Sequence, residues 1–200
     1  QTEFIEALTG LRKKSRGKIS YFDKESKKYS PRKIHQLGVT HIPEDRQKSG
    51  IIGNFTVSEN LILNNYYASP YSKNYAMNWS RVNDESERII HKFDIRTPSA
   101  NTLAENLSGG NQQKCIISKW LLSKPKVLIL DEPTRGVDVG VKSEMYEIIN
   151  KLAEEGTAII LISSELPEIL SLSHRIIVMR EGKITKILNN KEATQEIIMS

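Results

Sequence analysis

Ser108-Gly109-Gly110, followed by the apolar run Val127-Leu128-Ile129-Leu130 that ends in Asp131-Glu132, is a set of residues suited to phosphate chemistry. A serine ahead of two glycines caps a helix whose N-terminus carries partial positive charge. Glycine leaves the backbone donors unobstructed, so such a tip attracts phosphate. Two carboxylates at the end of a parallel strand stand where open α/β sheets bind their ligands. Asp131 there suits magnesium, directly or through water, and Glu132 suits orienting and polarising an attacking water. Taken singly, Ser-Gly-Gly describes an ordinary capped helix, and an acid pair describes a solvent-facing strand end. Their order and spacing together point to a protein that grips nucleotide phosphates for hydrolysis.

The elements that must position these residues are readable from hydrophobic periodicity. The runs 127–130, Ala158–Ile162 and 175–179 are short and almost wholly apolar, the pattern of strands buried on both faces. Helices at 141–155 and 165–170 lie between them. This alternation predicts a parallel sheet with right-handed crossovers. Ser108 caps a helix running to about Leu122, with Ile116, Ile117, Trp120 and Leu121 as its buried stripe. Earlier, a helix over 3–11, a strand over 18–22, a turn or helix over 34–38 and the strand Val39–Ile42 are expected. Helices at 57–64 and 84–93 flank a polar stretch at 64–80, and this region reads as an inserted helical subdomain left through Pro98, Ser99 and Asn101. Glu181-Gly182 is a hairpin turn into 183–188, and a helix over 192–199 follows. The expected divisions are 1–54, a partial N-terminal part of the core; 55–107, the helical subdomain; and 108–200, the remainder of the core.

The chain has 200 residues and is 38% hydrophobic, enough for one domain with a small insertion. No apolar run approaches a membrane span. The opening Gln1-Thr2-Glu3 shows neither a secretion signal nor an initiator Met, so a fragment is expected. One cysteine, Cys115, cannot form an internal disulfide, which fits a reducing compartment. The net charge of +5 is uneven: residues 12–33 hold ten Lys and Arg against Asp23 and Glu25. That stretch is either a solvated hairpin face or a contact for an anionic partner. The four histidines have no metal-ligand spacing. Tyr66, Tyr67, Tyr71, Tyr75 and Trp79 form either an aromatic contact patch or a partly buried loop.

Leu107-Ser108-Gly109-Gly110-Asn111-Gln112-Gln113-Lys114 resembles the signature motif of ABC-type ATPases. Ile129–Thr134 resembles their Walker B segment and Gly136-Val137-Asp138 their D-loop. The stretches Asn111-Gln112-Gln113-Lys114, Arg135-Gly136-Val137-Asp138-Val139-Gly140 and His41-Ile42-Pro43-Glu44-Asp45-Arg46 are similar to the C-terminal nucleotide-binding half of tandem ATPases that energise bacterial sugar and nucleoside importers. The resemblance implies an α/β fold: a P-loop NTPase-like (RecA-like) parallel-sheet core with an inserted helical subdomain, lacking its first strand and phosphate loop. It implies ATP and magnesium as cofactors, with Glu132 and Ser164 as catalytic residues. Gln1, Thr2, Glu44, Ser108, Gly109, Gly110, Asn111 and Asp138 would contact ATP, and Thr2 and Asp131 would hold magnesium. The implied partners are the N-terminal nucleotide-binding half of the same polypeptide, membrane permease subunits docking on 55–105 and, indirectly, an extracellular solute-binding protein, with no nucleic acid. The implied location is the cytoplasmic face of the membrane.

Three positions depart from the general ABC pattern. Gln1 stands at the phosphate-loop lysine, Glu44 at the γ-phosphate-sensing glutamine and Ser164 at the switch histidine. A carboxylate at 44 adds repulsion toward a triphosphate unless magnesium or Arg46 offsets it. The helix tip Ser108–Gly110 is therefore expected to complete the stronger site, with the other half, while Asp131 and Glu132 serve a weaker one. The alternative is a catalytically weak module that supplies only the signature face. The isolated piece is expected to lack useful ATPase activity and to expose a sheet edge prone to association.

Overall fold

The computed structural model describes residues 2–13, 16–25, 29–44, 50–74 and 76–199. Three of the apolar runs form its central sheet. Strand β3 (Val39–Ile42) pairs in parallel with β6 (Val127–Asp131), which pairs in parallel with β7 (Ala158–Ile162), so β6 lies in the middle. The period-2 geometry of a strand sends alternate residues of β6 to opposite faces. Leu128 and Leu130 join one apolar cluster, and Ile129 joins another. All three are at most 1% exposed.

The first cluster is built with α5 (Gly109–Leu121) through Ile116 and Ile117, and with α6 (Val139–Glu154) through Met145 and Ile149. The second lies under α1 (Thr2–Leu8) and α2 (Pro31–Gln36), through Ile5 and Ile34. Helix α2 starts where Ser30 accepts from Lys33 N and Pro31 occupies the first turn, where its missing N–H costs nothing. A short hairpin of β1 (Ser20–Tyr21) and β2 (Lys24–Glu25) carries part of the basic stretch.

Between β3 and β6 the chain makes a long helical excursion. Helix α3 (Val57–Ile62) opens on a capping box: Glu59 N donates to Thr56 Oγ1, and Thr56 N donates to Glu59 Oε2. Helix α4 (Trp79–Lys92) begins five residues before the expected 84, because Asn78 accepts from Arg81 N and starts the helix there. The polar stretch ahead of it holds an unforeseen hairpin, β4 (Ser72–Lys73) with β5 (Ala76–Met77). The two ends of the excursion meet: Thr56 bridges Leu103 antiparallel, and Val57 N donates to Thr102 O. Asn60, 1% exposed, fastens the neck by donating to Ile52 O and Thr56 O while accepting from Ile52 N.

The run at 175–179 does not enter the parallel sheet. Strand β8 (Arg175–Arg180) forms an antiparallel ribbon with β9 (Lys183–Asn189), and Ile177 is half exposed. The reason lies in the turn: Glu181 and Gly182 both take φ > 0, which folds β8 directly onto its successor. Strand β7 is likewise only partly buried, since Ile160 remains exposed. An apolar groove of about 890 Å³ separates the outer edge of β7 from β8, lined by Ile160, Ile162, Ile176 and Val178. Helix α7 (Leu166–Leu172) connects the two strands, and α8 (Gln195–Met199) closes the chain.

Candidate functional site

The acid pair stands at the carboxyl end of the central strand. Asp131 is the last residue of β6 and is nearly buried, with Oδ2 3.9 Å from His41 Nε2 on the neighbouring β3. The chain then turns sharply. Glu132 takes φ 49, and its N–H donates to Ile162 O of β7 at 2.8 Å. That left-handed conformation is uncommon for a residue with a side chain and persists only where neighbours hold it. It brings the Glu132 carboxylate to Ser164, whose Oγ donates to Glu132 Oε2 at 3.2 Å. Two of the residues expected to act together, 32 positions apart, are thus in contact. Ser164 lies on the segment between β7 and α7, which Lys142 of α6 ties down by donating to both oxygens of Glu165 at 2.5 and 2.7 Å.

Glu44 follows β3, and its carboxylate pairs with the guanidinium of Arg135, just beyond the acid turn. The offset to its negative charge therefore comes from Arg135. Arg46, considered for that role, and Gln1, at the lysine position, both lie outside the described residues. Thr2 is exposed at the start of α1, and Asp138 is exposed at the N-cap position of α6, where its side chain makes no cap bond.

The other half of the motif set is the exposed tip of α5. Ser108 accepts weakly from Asn111 N at 3.5 Å and more closely from Asn111 Nδ2 at 2.9 Å. Asn111 Oδ1 in turn accepts from Arg96 N at 2.8 Å. The serine hydroxyl is therefore held by the asparagine amide as well as by the helix backbone. Gly110 has a packing reason beyond phosphate access: a Cβ there would sit 2.8 Å from Val141 Cγ2 of α6.

The motif residues after the tip are fasteners. Gln112 Nε2 donates to Ala104 O at 3.1 Å and Gln113 Nε2 to Pro133 O at 2.7 Å. Buried Lys114 pairs with Glu144 at 2.6 Å and Asp94 at 3.3 Å. Thr134, at the far side of the acid turn, donates to Glu168 Oε1 at 2.9 Å. Sequence reasoning assigned no role to Gln113, Lys114, Thr134, Arg135 or Glu168. The one signal available for the first four was their placement beside or within the two motifs, and Glu168 carried none.

Tyr66, Tyr67 and Trp79 are exposed, with Arg32 over the Tyr67 ring, while Tyr71 is buried and Tyr75 lies outside the described residues. Cys115 is buried in α5, and burial pushes its thiol up to about 12. Among the described residues no His, Cys, Asp and Glu gather into a group of three that would hold a metal by themselves. Nor, among the described residues, is any helix long and apolar enough to cross a membrane.

Known proteins resemble this chain over most of its length. The family model described as ABC transporter matches residues 1–135. A ribose import ATP-binding protein, RbsA of Clostridium tetani, is 45% identical over the whole chain, which spans 39% of that relative. A galactose/methyl galactoside import ATP-binding protein, MglA of Clostridium perfringens, is 44% identical, with 38% of its length covered. A guanosine import ATP-binding protein, NupO of Bacillus subtilis, is 41% identical over 98% of the chain and 38% of its own length. The chain thus spans about two fifths of these curated relatives. A solved ATP-binding cassette of an ABC transporter in its ADP conformation superposes with a TM-score of 0.80 at 22% identity, covering 100% of this chain and 79% of that one. A dimeric cassette in a post-hydrolysis state bound to ADP and Pi gives 0.75 at 17%, covering 94% and 80%. The chain has the α/β fold of ABC ATPase cassettes, and it belongs to the ABC transporter family.

Proposed function

We propose that this chain is one nucleotide-binding half, the second, of a tandem ATPase that energises import of a simple sugar or a nucleoside. The observation that carries the reading is the Ser164–Glu132 contact at the end of β6, on the same chain as an exposed, serine-capped helix tip. One set of groups suits water activation. The other suits a phosphate. In this reading the tip of α5 closes on a nucleotide held mainly by the N-terminal half of the polypeptide, and the acid turn faces another.

The donors fit a magnesium nucleotide. Asp131 and the Thr2 hydroxyl are hard oxygen ligands, too few to cage a cation alone, as suits magnesium carried with phosphates and water. Bound magnesium would neutralise phosphate charge there. Glu132 would accept a hydrogen bond from the attacking water, oriented by Ser164. Glu44, its charge offset by Arg135, would border the γ-phosphate. Ser108, Gly109, Gly110 and Asn111 would present donors to the phosphates across the interface, with Asp138 beside them. Gln1 is assigned to the phosphates of this half by resemblance alone.

The division at 54/55 and 107/108 belongs to the same proposal, supported by the closed neck between 53–58 and 100–105. The inserted helices and the exposed Tyr66, Tyr67 and Trp79 would meet a membrane permease from the cytoplasmic side, with a solute-binding protein acting beyond it. The similarity to import ATP-binding proteins favours this over the weak-module alternative. Purifying the full-length protein and assaying it with its permease tests the reading. Co-purification and ATP-dependent uptake that Ser108→Arg abolishes are expected; uptake unaffected by that change rejects it.

A further inference from the structure

Three buried polar side chains converge on the acid turn without belonging to the nucleotide chemistry. Gln113 is 2% exposed, and its amide donates to Pro133 O at 2.7 Å. Thr134 and Glu168 are each 1% exposed and joined by a 2.9 Å hydrogen bond. Burying an amide and a carboxylate is unfavourable unless both are hydrogen-bonded. Here Gln113 Nε2 and Glu168 Oε1 both act on the tripeptide 132–134, while Gln113 Oε1 and Glu168 Oε2 find no hydrogen-bond partner among the described residues. Glu168 makes no ion pair among the described residues, and Thr134 is its hydrogen-bond donor there, beside the Tyr146 hydroxyl.

The placement of the two helices gives the contacts their meaning. Gln113 lies on α5, five residues after Ser108 at the tip. Glu168 lies on α7, four residues after Ser164. The turn between them holds Glu132 in a left-handed conformation that surrounding contacts must maintain. Gly110 packs α5 directly on α6, and Lys142 of α6 grips Glu165 at the N-cap of α7, so α5 and α7 are linked a second time, through α6.

We propose that Gln113 and Glu168 are positioning residues that clamp the 132–134 turn from two helices, so that closure of the α5 tip on one nucleotide sets the Glu132 carboxylate for the other. The clamp couples the two composite sites within one chain. It rests on the ATPase reading above.

The test uses the full-length tandem protein with its permease, measuring kcat and KM for ATP together with the unfolding midpoint. Thr134→Val removes the hydroxyl at constant shape. It lowers kcat about tenfold with KM nearly unchanged, more than the accompanying fall in the midpoint accounts for, and Thr134→Ser restores the rate. Gln113→Leu with Glu168→Leu loses no more rate than the worse single variant, because both act on one turn. If Thr134→Val does not assemble, the Gln113 and Glu168 pair decides alone. Rates that merely follow the midpoints, a serine variant no better than valine, or multiplying effects overturn the clamp. Full hydrolysis in Ser108→Arg overturns the ATPase reading instead; loss in Ser108→Arg with unmoved clamp variants rejects the clamp only.

Discussion

Lys119 offers a prediction independent of any ligand. Its ammonium is buried in α5 and donates to the carbonyl of Gly50, and among the described residues no carboxylate pairs with it. Burial lowers its pKa from 10.5 to about 8, while burial raises its neighbour Cys115 from 9.0 to about 12. Between about pH 8 and 10.5 the unfolded chain keeps the lysine proton that the folded chain has lost, so stability climbs with pH. Cys115 acts oppositely: from pH 9.0 to about 12 the folded chain keeps a proton that the unfolded chain loses, so stability falls. The lysine gain is therefore unopposed from about 8 to 9, largely cancelled up to about 10.5, and replaced by the cysteine loss above that. Each unit of unopposed window is worth ~1 kcal/mol, about 3 kcal/mol for Lys119 across its whole range. Urea unfolding from pH 7 to 11, followed by tryptophan fluorescence, reads these slopes. Lys119→Met should abolish the rise, and Cys115→Ala should extend it. Wild-type and Lys119→Met curves running parallel between about pH 8 and 10 would refute the reasoning.

Three further outcomes follow from the site. Gly110→Ala should lower stability by ~1 kcal/mol, the clash with Val141 exceeding the helix-propensity gain of alanine, and adding Val141→Ala should reverse the sign in thermal unfolding. Arg135→Glu should weaken ATP affinity by up to roughly fivefold, because it leaves two carboxylates near the γ-phosphate, whereas Glu44→Arg removes that repulsion and should not weaken it, in titrations at low salt. In the full assembly Ser108→Arg should abolish hydrolysis while Glu132→Gln lowers it less; equal and complete loss in both would remove the asymmetry between the two sites.

The strands that place the acids were legible because they are uninterrupted apolar runs, and the tip of α5 because serine before two glycines has one local reading. Glu132 and Ser164 were singled out by resemblance, not by periodicity, and their contact emerged only in the folded chain. Helix α4 began early because one asparagine outweighs the polar composition around it. The hairpin turn at Glu181-Gly182 was legible and the structure has it, but the 175–179 run was misplaced in the parallel sheet because apolar content reports burial and not which strand is the neighbour. Arg135, Gln113 and Glu168 were invisible for another reason. Their partners lie 91, 20 and 34 positions away, and only the folded sheet brings them together.

The central claim is that the α5 tip and the acid turn of this chain serve different nucleotides. A structure of the ATP-loaded tandem assembly tests it most directly. The account predicts the Ser108 hydroxyl within hydrogen-bond reach, ~3 Å, of a γ-phosphate held by the other half, with Asp131 and Glu132 at a second nucleotide. A tip pointing into solvent, or both groups converging on one nucleotide, would contradict it.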